Sequence, residues 1–206
     1  MHALVYSILV DTLLRGVRVC VPDFSGMKAG DRVLDVCCGT GAQTLVYARM
    51  GIVSTGIDLD GRMIGFAEKA RTRQRLAGVS FHRASAQHLP FKDKCFDYTS
   101  ISMALHEKES SARDAIVAEM QRVTKKEGVL VFVDYRVPFP QNAYLYFVRF
   151  VESMAGSDHF RHFRDYVCQG GLDTLLNKNQ LRTQKTGHLM KGLLTIEKTR
   201  NGQKSV

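Results

Sequence analysis

Apolar positions along the chain follow two periods. Short runs rich in Val, Ile, Leu and Phe alternate with longer stretches in which apolar residues recur every three or four positions. The runs predict strands over 32–37, 52–58, 79–83, 96–103 and 128–134. The stretches between them predict helices over 41–50, 61–77 and 110–125, the last starting at Ser111 with Asp114. Strands that alternate with helices imply a parallel sheet covered on both faces. Ahead of the first strand, Leu4, Ile8, Leu9, Thr12, Leu13 and Val17 recur at helical spacing, so residues 2–20 read as an amphipathic helix and Pro22–Gly30 as a linker. Beyond Asp134, Pro138 and Pro140 break the alternation. An aromatic helix is predicted over 143–154, a short basic-aromatic segment over 159–166, and a further helix from Gly170 with Asn179 as its left-handed cap. Residues 182–187 and 193–199 read as a closing hairpin that turns near Gly192.

The chemistry concentrates where the first strand ends. Val33-Leu34-Asp35-Val36 runs into Cys37-Cys38-Gly39-Thr40-Gly41, and a helix follows at once. Glycines there let the backbone turn sharply and approach a ligand, and the free N–H groups of the helix start face it. A dinucleotide fingerprint needs a third glycine one turn into the helix; Thr44 stands there, which disfavours a nicotinamide cofactor. Asp58 closes the second strand, where an acid accepts hydrogen bonds from two ribose hydroxyls, and Asp60 reads as the N-cap of the next helix. A turn with no ligand is the competing reading of the glycine stretch taken alone.

The Asp35-x-Cys37-x-Gly39-x-Gly41 register resembles motif I of class I S-adenosylmethionine (SAM) dependent methyltransferases. Ala84-Ser85-Ala86-Gln87-His88-Leu89-Pro90-Phe91, followed by Asp93 and Phe96-Asp97, resembles a second segment of that family. The likeness spans residues 30–135 and is closest to the ubiquinone/menaquinone-biosynthesis C-methyltransferases. It implies an α/β fold: a Rossmann-like, doubly wound, mostly parallel seven-stranded sheet with helices on both faces and a C-terminal β-hairpin. It further implies one domain over 1–206, with an N-terminal helix over 1–22 that reads either as a lid lined by Tyr6 or as core packed against the first domain helix, a SAM-binding core over 30–135 and a helical acceptor-side insertion over 136–180. By the same resemblance Asp35 lies near the methionine amine, and Cys37, Gly39, Thr40 and Gly41 form the turn against the cofactor. Asp58 holds the ribose, Leu59 flanks the adenine, and Ser102 and Met103 pass the cofactor through backbone. Ser85 takes the place of the family's usual aspartate, next to Ala86; it offers an uncharged and shorter acceptor to the adenine. The product would be S-adenosylhomocysteine.

Methyl transfer asks the protein to align a nucleophile, exclude water and, where the nucleophile is protonated, supply a base. His106, Tyr135 and Arg136 lie at the mouths of the fourth and fifth strands and are the catalytic candidates, each with a plain structural reading beside it. The 143–154 helix reads as the roof of an apolar acceptor pocket, as a membrane-surface contact, or as core or a dimer contact.

A length of 206 residues suits one domain with a full core. Five cysteines include no C-x-x-C pair, so no metal site is expected; with no basic leader at the start, reduced thiols in a cytoplasm are expected. Cys37-Cys38 reads as two small residues packed under the turn. The formal net charge of +9 suits nucleic acid, an anionic surface or an acidic substrate, or none of these. Within it, Arg71, Arg73 and Arg75 read as the outer face of a helix whose Met63, Phe66, Ala67 and Ala70 face the sheet. A SAM-dependent methyltransferase of a small apolar or aromatic molecule is the leading reading, as monomer or homodimer. An RNA methyltransferase lacks the expected proline-aromatic platform over Ser100–His106. A non-catalytic SAM-binding or partner-binding protein is the remaining alternative.

Overall fold

The computed structural model describes residues 14–140 and 157–202. Its strands are β1 (Arg32–Val36), β2 (Val53–Asp58), β3 (Val79–Arg83), β4 (Phe96–Ser102), β5 (Thr124–Tyr135), β6 (Thr183–Leu189) and β7 (Leu194–Arg200). Its helices are α1 (Arg15–Ser25), α2 (Ala42–Arg49), α3 (Gly61–Gln74), α4 (Ser110–Val123), α5 (Ser157–Cys168) and α6 (Gly171–Lys178). Among the described residues the strands form one sheet in the order β3-β2-β1-β4-β5-β7-β6. β1 to β5 are parallel, and β7 runs antiparallel to both β5 and β6, which makes the expected C-terminal hairpin. Helices cover both faces. The strand order reverses between β1 and β4, so their carboxyl ends splay and leave a crevice.

The central strands are continuous apolar runs because both their faces are buried: Val33, Leu34 and Val36 on β1, and Leu130, Val131, Phe132 and Val133 on β5, are all inaccessible. A second, smaller core joins Leu45 and Ala48 of α2, Ala67 of α3, and Val79 and Phe81 of β3.

Several boundaries depart from expectation. Pro22 does not end the first helix, which continues to Ser25. A proline cannot donate to the carbonyl four residues back, here that of Arg18. Gln43 Nε2 donates to that carbonyl instead at 3.1 Å, so the helix survives. On α3 the described burial is confined to Ala67; Met63 borders a cavity, and Phe66 is 37% exposed. Arg75, in the left-handed conformation, ends that helix earlier than the pattern implied, while Asp60 caps its start by accepting from Arg62 N at 2.8 Å. Glu109, not Ser111, precedes α4, and Asp114 instead binds Lys178 and Asn179. β5 begins at Thr124 directly from α4, before Gly128. The left-handed residue after α6 is Gln180; Asn179 keeps φ −88° and turns its amide to Asp114 and to the Leu175 carbonyl. The basic-aromatic segment lies inside α5. Tyr6 and the rest of the lid helix before Leu14, and the 143–154 helix, lie outside the described residues. Among those residues no helix is long and apolar enough to cross a membrane.

Candidate functional site

A cavity of about 380 Å³ opens at the carboxyl ends of β1, β2 and β4. Asp35 and Cys37 reach it from the end of β1, and Gly39 and Thr40 from the turn that follows. Asp58 and Leu59 come from the end of β2, Ser85 and Ala86 from the loop after β3, and Ser102 and Met103 from the end of β4. Of the residues placed at a cofactor by the sequence, Gly41 alone does not line it.

The two glycines of the turn do different work. At Gly39, φ is +53° and an added Cβ would meet no protein atom within 4 Å, so the backbone faces open space. At Gly41, φ is +76° and a Cβ would lie 2.6 Å from the Phe81 ring and 2.8 Å from Ala67. Gly41 therefore lets α2 pack against β3 and α3, which corrects the expectation that it approaches a ligand. Cys37 (φ +57°) and Met103 (φ +54°) also adopt the left-handed region at the ends of neighbouring strands, a conformation that costs side-chain-bearing residues on the order of 1 kcal/mol or more. Both border the cavity, as strained positions at binding sites commonly do.

Polar groups hold the cavity in shape. Asp35 is buried; Thr44 Oγ1 donates to its Oδ2 at 2.6 Å and Ser100 Oγ to its Oδ1 at 3.1 Å. Burial pushes the Asp35 carboxyl up to about 6, against the pull of those two hydrogen bonds. Thr44, where a dinucleotide fold would have glycine, is thus the residue that orients Asp35. Asp58 ties the turn to the second strand: its Oδ2 accepts from Gly39 N and its Oδ1 from Asp60 N, both at 2.9 Å. Ser85 Oγ accepts from Gln87 N at 3.3 Å, a bond internal to its own turn. Burial pushes the Cys37 thiol up to about 12 and raises the Cys38 thiol as well, so neither is a reactive thiolate.

Four polar residues of the wall carried no clear sequence signal. Arg18 and Gln43 arrive from α1 and α2, and Glu107 and Lys108 from the segment after β4. Lys108 Nζ lies 2.6 Å from Glu107 Oε1; burial opposes its charge, and Glu107 together with the nearby Cys37 and Asp58 offsets that, so the ammonium is held above its ordinary range. The sequence singled out His106 in this segment, whereas its neighbours Glu107 and Lys108 face the cavity.

His106, Tyr135 and Arg136 do not line the cavity. His106 is 3% exposed, with Nδ1 at 2.7 Å from Asp134 Oδ1. Asp134, also buried, accepts backbone N–H groups from Leu105, His106 and Tyr135 at 3.0, 3.2 and 2.8 Å. The imidazole sits edge-on to Tyr135, His159, Phe163 and Tyr166. Tyr135 packs into that aromatic shell, and its carbonyl accepts from Tyr166 Oη at 3.2 Å. Arg136 donates its backbone N–H to the Leu193 carbonyl, with its guanidinium beside Gly192 in the turn before β7.

Residues 34–132 match a family model described as a methyltransferase domain. A demethylmenaquinone methyltransferase of a Geobacillus species (strain WCH70) is 30% identical over 147 residues, which cover 68% of this chain and 62% of that protein. The chain spans 47–62% of the length of the first curated relatives it matches. A SAM-dependent methyltransferase from Aquifex aeolicus superposes with a TM-score of 0.68 at 17% identity, covering 89% of both chains. Geranyl diphosphate C-methyltransferase from Streptomyces coelicolor, solved with Mg2+, geranyl diphosphate and S-adenosylhomocysteine, superposes with a TM-score of 0.64 at 13% identity, covering 90% of this chain and 80% of that one.

Proposed function

We propose that this chain, whose residues 34–132 match a methyltransferase domain, is a class I SAM-dependent methyltransferase that transfers a methyl group to a small apolar or aromatic acceptor. The observation that carries the reading is the cavity itself. An open-faced glycine, a buried carboxylate at the end of β1 and a second carboxylate at the end of β2 converge on one crevice at the switch point of the sheet. These are the donors and acceptors that an amino acid joined to a nucleoside requires, so the residues present fit the cofactor.

In this reading Asp35 faces the amine of the methionine part, and Gly39 and Thr40 lie along it through backbone. Asp58 takes the ribose hydroxyls, Leu59 covers one adenine face, and Ser85, Ala86, Ser102 and Met103 complete the wall. SAM supplies an activated methyl group on a sulfonium, with its leaving group already in place. The chain's own part is alignment, exclusion of water and acceptance of a proton from the acceptor. His106, oriented by Asp134, is the base we assign, with Tyr135 packed against it and Arg136, next along the chain, on the acceptor side. An apolar acceptor is supported by relatives named for quinone methylation. The test is transfer of label from methyl-labelled SAM to a panel of hydroquinones and phenols. Labelled product from at least one supports the reading; tight cofactor binding with no transfer to any of them moves it to the non-catalytic alternative.

The raised Asp35 carboxyl makes a separate expectation. The ionised form is the one that attracts an amine, and it predominates only above about pH 6. S-adenosylhomocysteine affinity should therefore climb as pH rises from 5 to 7.5, by up to about tenfold per unit below the midpoint. Asp35→Asn should bind more weakly at pH 7.5 and lose that slope. The sign for stability is opposite. A carboxyl lifted above its unfolded value holds its proton longer when folded, so its contribution to stability falls as pH rises from about 4 to about 6. Calorimetric titrations at several pH values read the binding slope; a flat wild-type profile would remove Asp35 from the amine contact.

A further inference from the structure

A second concavity, of about 910 Å³, lies between α1, α2 and α3, away from the acceptor side. It meets the cofactor cavity at Arg18 and Thr40, which border both. Arg15, Arg18, Arg49, Lys69 and Arg73 ring it, and no acidic residue is among its described lining. Among the described residues no carboxylate pairs with Arg15, Arg49, Lys69 or Arg73. Arg49 spends two donors on the neutral Gln74 Oε1, at 2.6 and 3.0 Å. The nearest acids of α3 are committed elsewhere: Asp60 holds Arg62, and Glu68 holds Arg71. Arg15, Arg49, Lys69 and Arg73 face one hollow and repel one another, and an anion seated there relieves that repulsion.

The floor is apolar, with Leu45, Val46 and Phe66 beneath the charged rim. Phe66 is 37% exposed, and Val19, one helical turn beyond Arg15, is 53% exposed. Apolar side chains set among lysines and arginines are the arrangement of a surface that settles into the headgroup region of a bilayer. A single-stranded nucleic acid is the poorer match, because Phe66 is the one aromatic platform among the described lining residues.

We infer that the α1–α2–α3 concavity is a docking site for acidic phospholipid headgroups, which seats the chain on an anionic membrane surface. The juxtaposition of Arg15, Arg49, Lys69 and Arg73, none ion-paired among the described residues, with the exposed Phe66 around one hollow carries this, independently of the proposed reaction next door. The occupant is a phosphate held in a bilayer: phosphate supplies the charge that the rim lacks, and the acyl region receives Phe66 and Val19.

The test is co-sedimentation with vesicles of phosphatidylcholine alone and of phosphatidylcholine doped with phosphatidylglycerol. The wild-type chain should bind only the second kind, and less so as salt rises. Lys69→Glu/Arg73→Glu should weaken that binding about thirtyfold or more, since each basic residue at a membrane surface contributes about 1 kcal/mol. Lys94→Glu/Lys126→Glu makes the same charge change at exposed sites elsewhere and should bind nearly as well as wild type. Circular dichroism melts check that both variants fold. Three results overturn the inference: no binding to the anionic vesicles, equal loss in the two variants, or full displacement from vesicles by inorganic phosphate or by a short single-stranded RNA.

Discussion

Asp58→Ala should weaken S-adenosylhomocysteine binding about a hundredfold while the chain stays folded. A carboxylate has roughly four lone-pair positions. In this structure two are taken by Gly39 N and Asp60 N, one on each oxygen, which leaves one position per oxygen for a pair of vicinal hydroxyls. Hydrogen bonds to a charged group contribute about 1.5–3 kcal/mol each, so losing two accounts for about 3 kcal/mol or more of binding. Removing the carboxylate also frees the Gly39 amide, so the turn whose backbone faces the cavity loses one tether to β2 and keeps that from Cys38 N to the Ile57 carbonyl at 2.8 Å. Asp58→Asn keeps one acceptor oxygen and should fall between the two. Titration calorimetry on the three proteins reads the order directly. Affinity unchanged in Asp58→Ala would remove this carboxylate from the ribose and with it the orientation assigned to the cofactor.

That carboxylate was legible because its role is local. An acid at the carboxyl end of a buried strand, one strand along from a glycine turn, has one place to go in a doubly wound sheet, and Asp58 goes there. Asp60 as a cap was legible for the same reason, since a cap is set by the residues that follow it. Gly41 was misread because its constraint comes from Phe81, a residue on another strand whose ring fills the space where a side chain would stand. Pro22 was misread because the rescue of its lost hydrogen bond comes from Gln43. The cationic hollow is the extreme case. Arg15 and Arg73 stand at opposite ends of the first three helices, and only the packing of α1 against α2 brings them to one rim. In the sequence Arg73 reads as part of the outer face of a helix, and Arg15 carries no signal. Local chemistry was therefore visible in the chain, and the misreadings of Gly41 and Pro22 each have a partner distant in sequence.

The catalytic assignment makes the largest kinetic claim. His106→Gln should lower kcat by about a hundredfold to ten-thousandfold, the usual contribution of a positioned base, and leave S-adenosylhomocysteine affinity within about twofold. The split follows from position. His106 does not line the cofactor cavity, whereas its neighbours Glu107 and Lys108 do. Asp134 holds Nδ1 at 2.7 Å, which fixes the ring orientation. Glutamine keeps a polar group near Asp134 but has no basic nitrogen. Asp134 retains three backbone donors in the variant, so its carboxylate is not abandoned in the core. Asp134→Asn should lower kcat less and raise KM for the acceptor little, since it disturbs the imidazole without touching the acceptor. Retained product affinity shows that the variant is folded and its cofactor cavity intact, so a fall in kcat then belongs to the base. A kcat within threefold of wild type, with binding intact, would make His106 a core residue that anchors α5 to the 3-10 turn Leu105–Glu107, and would shift the search for the base to Glu107, the carboxylate on the cavity wall.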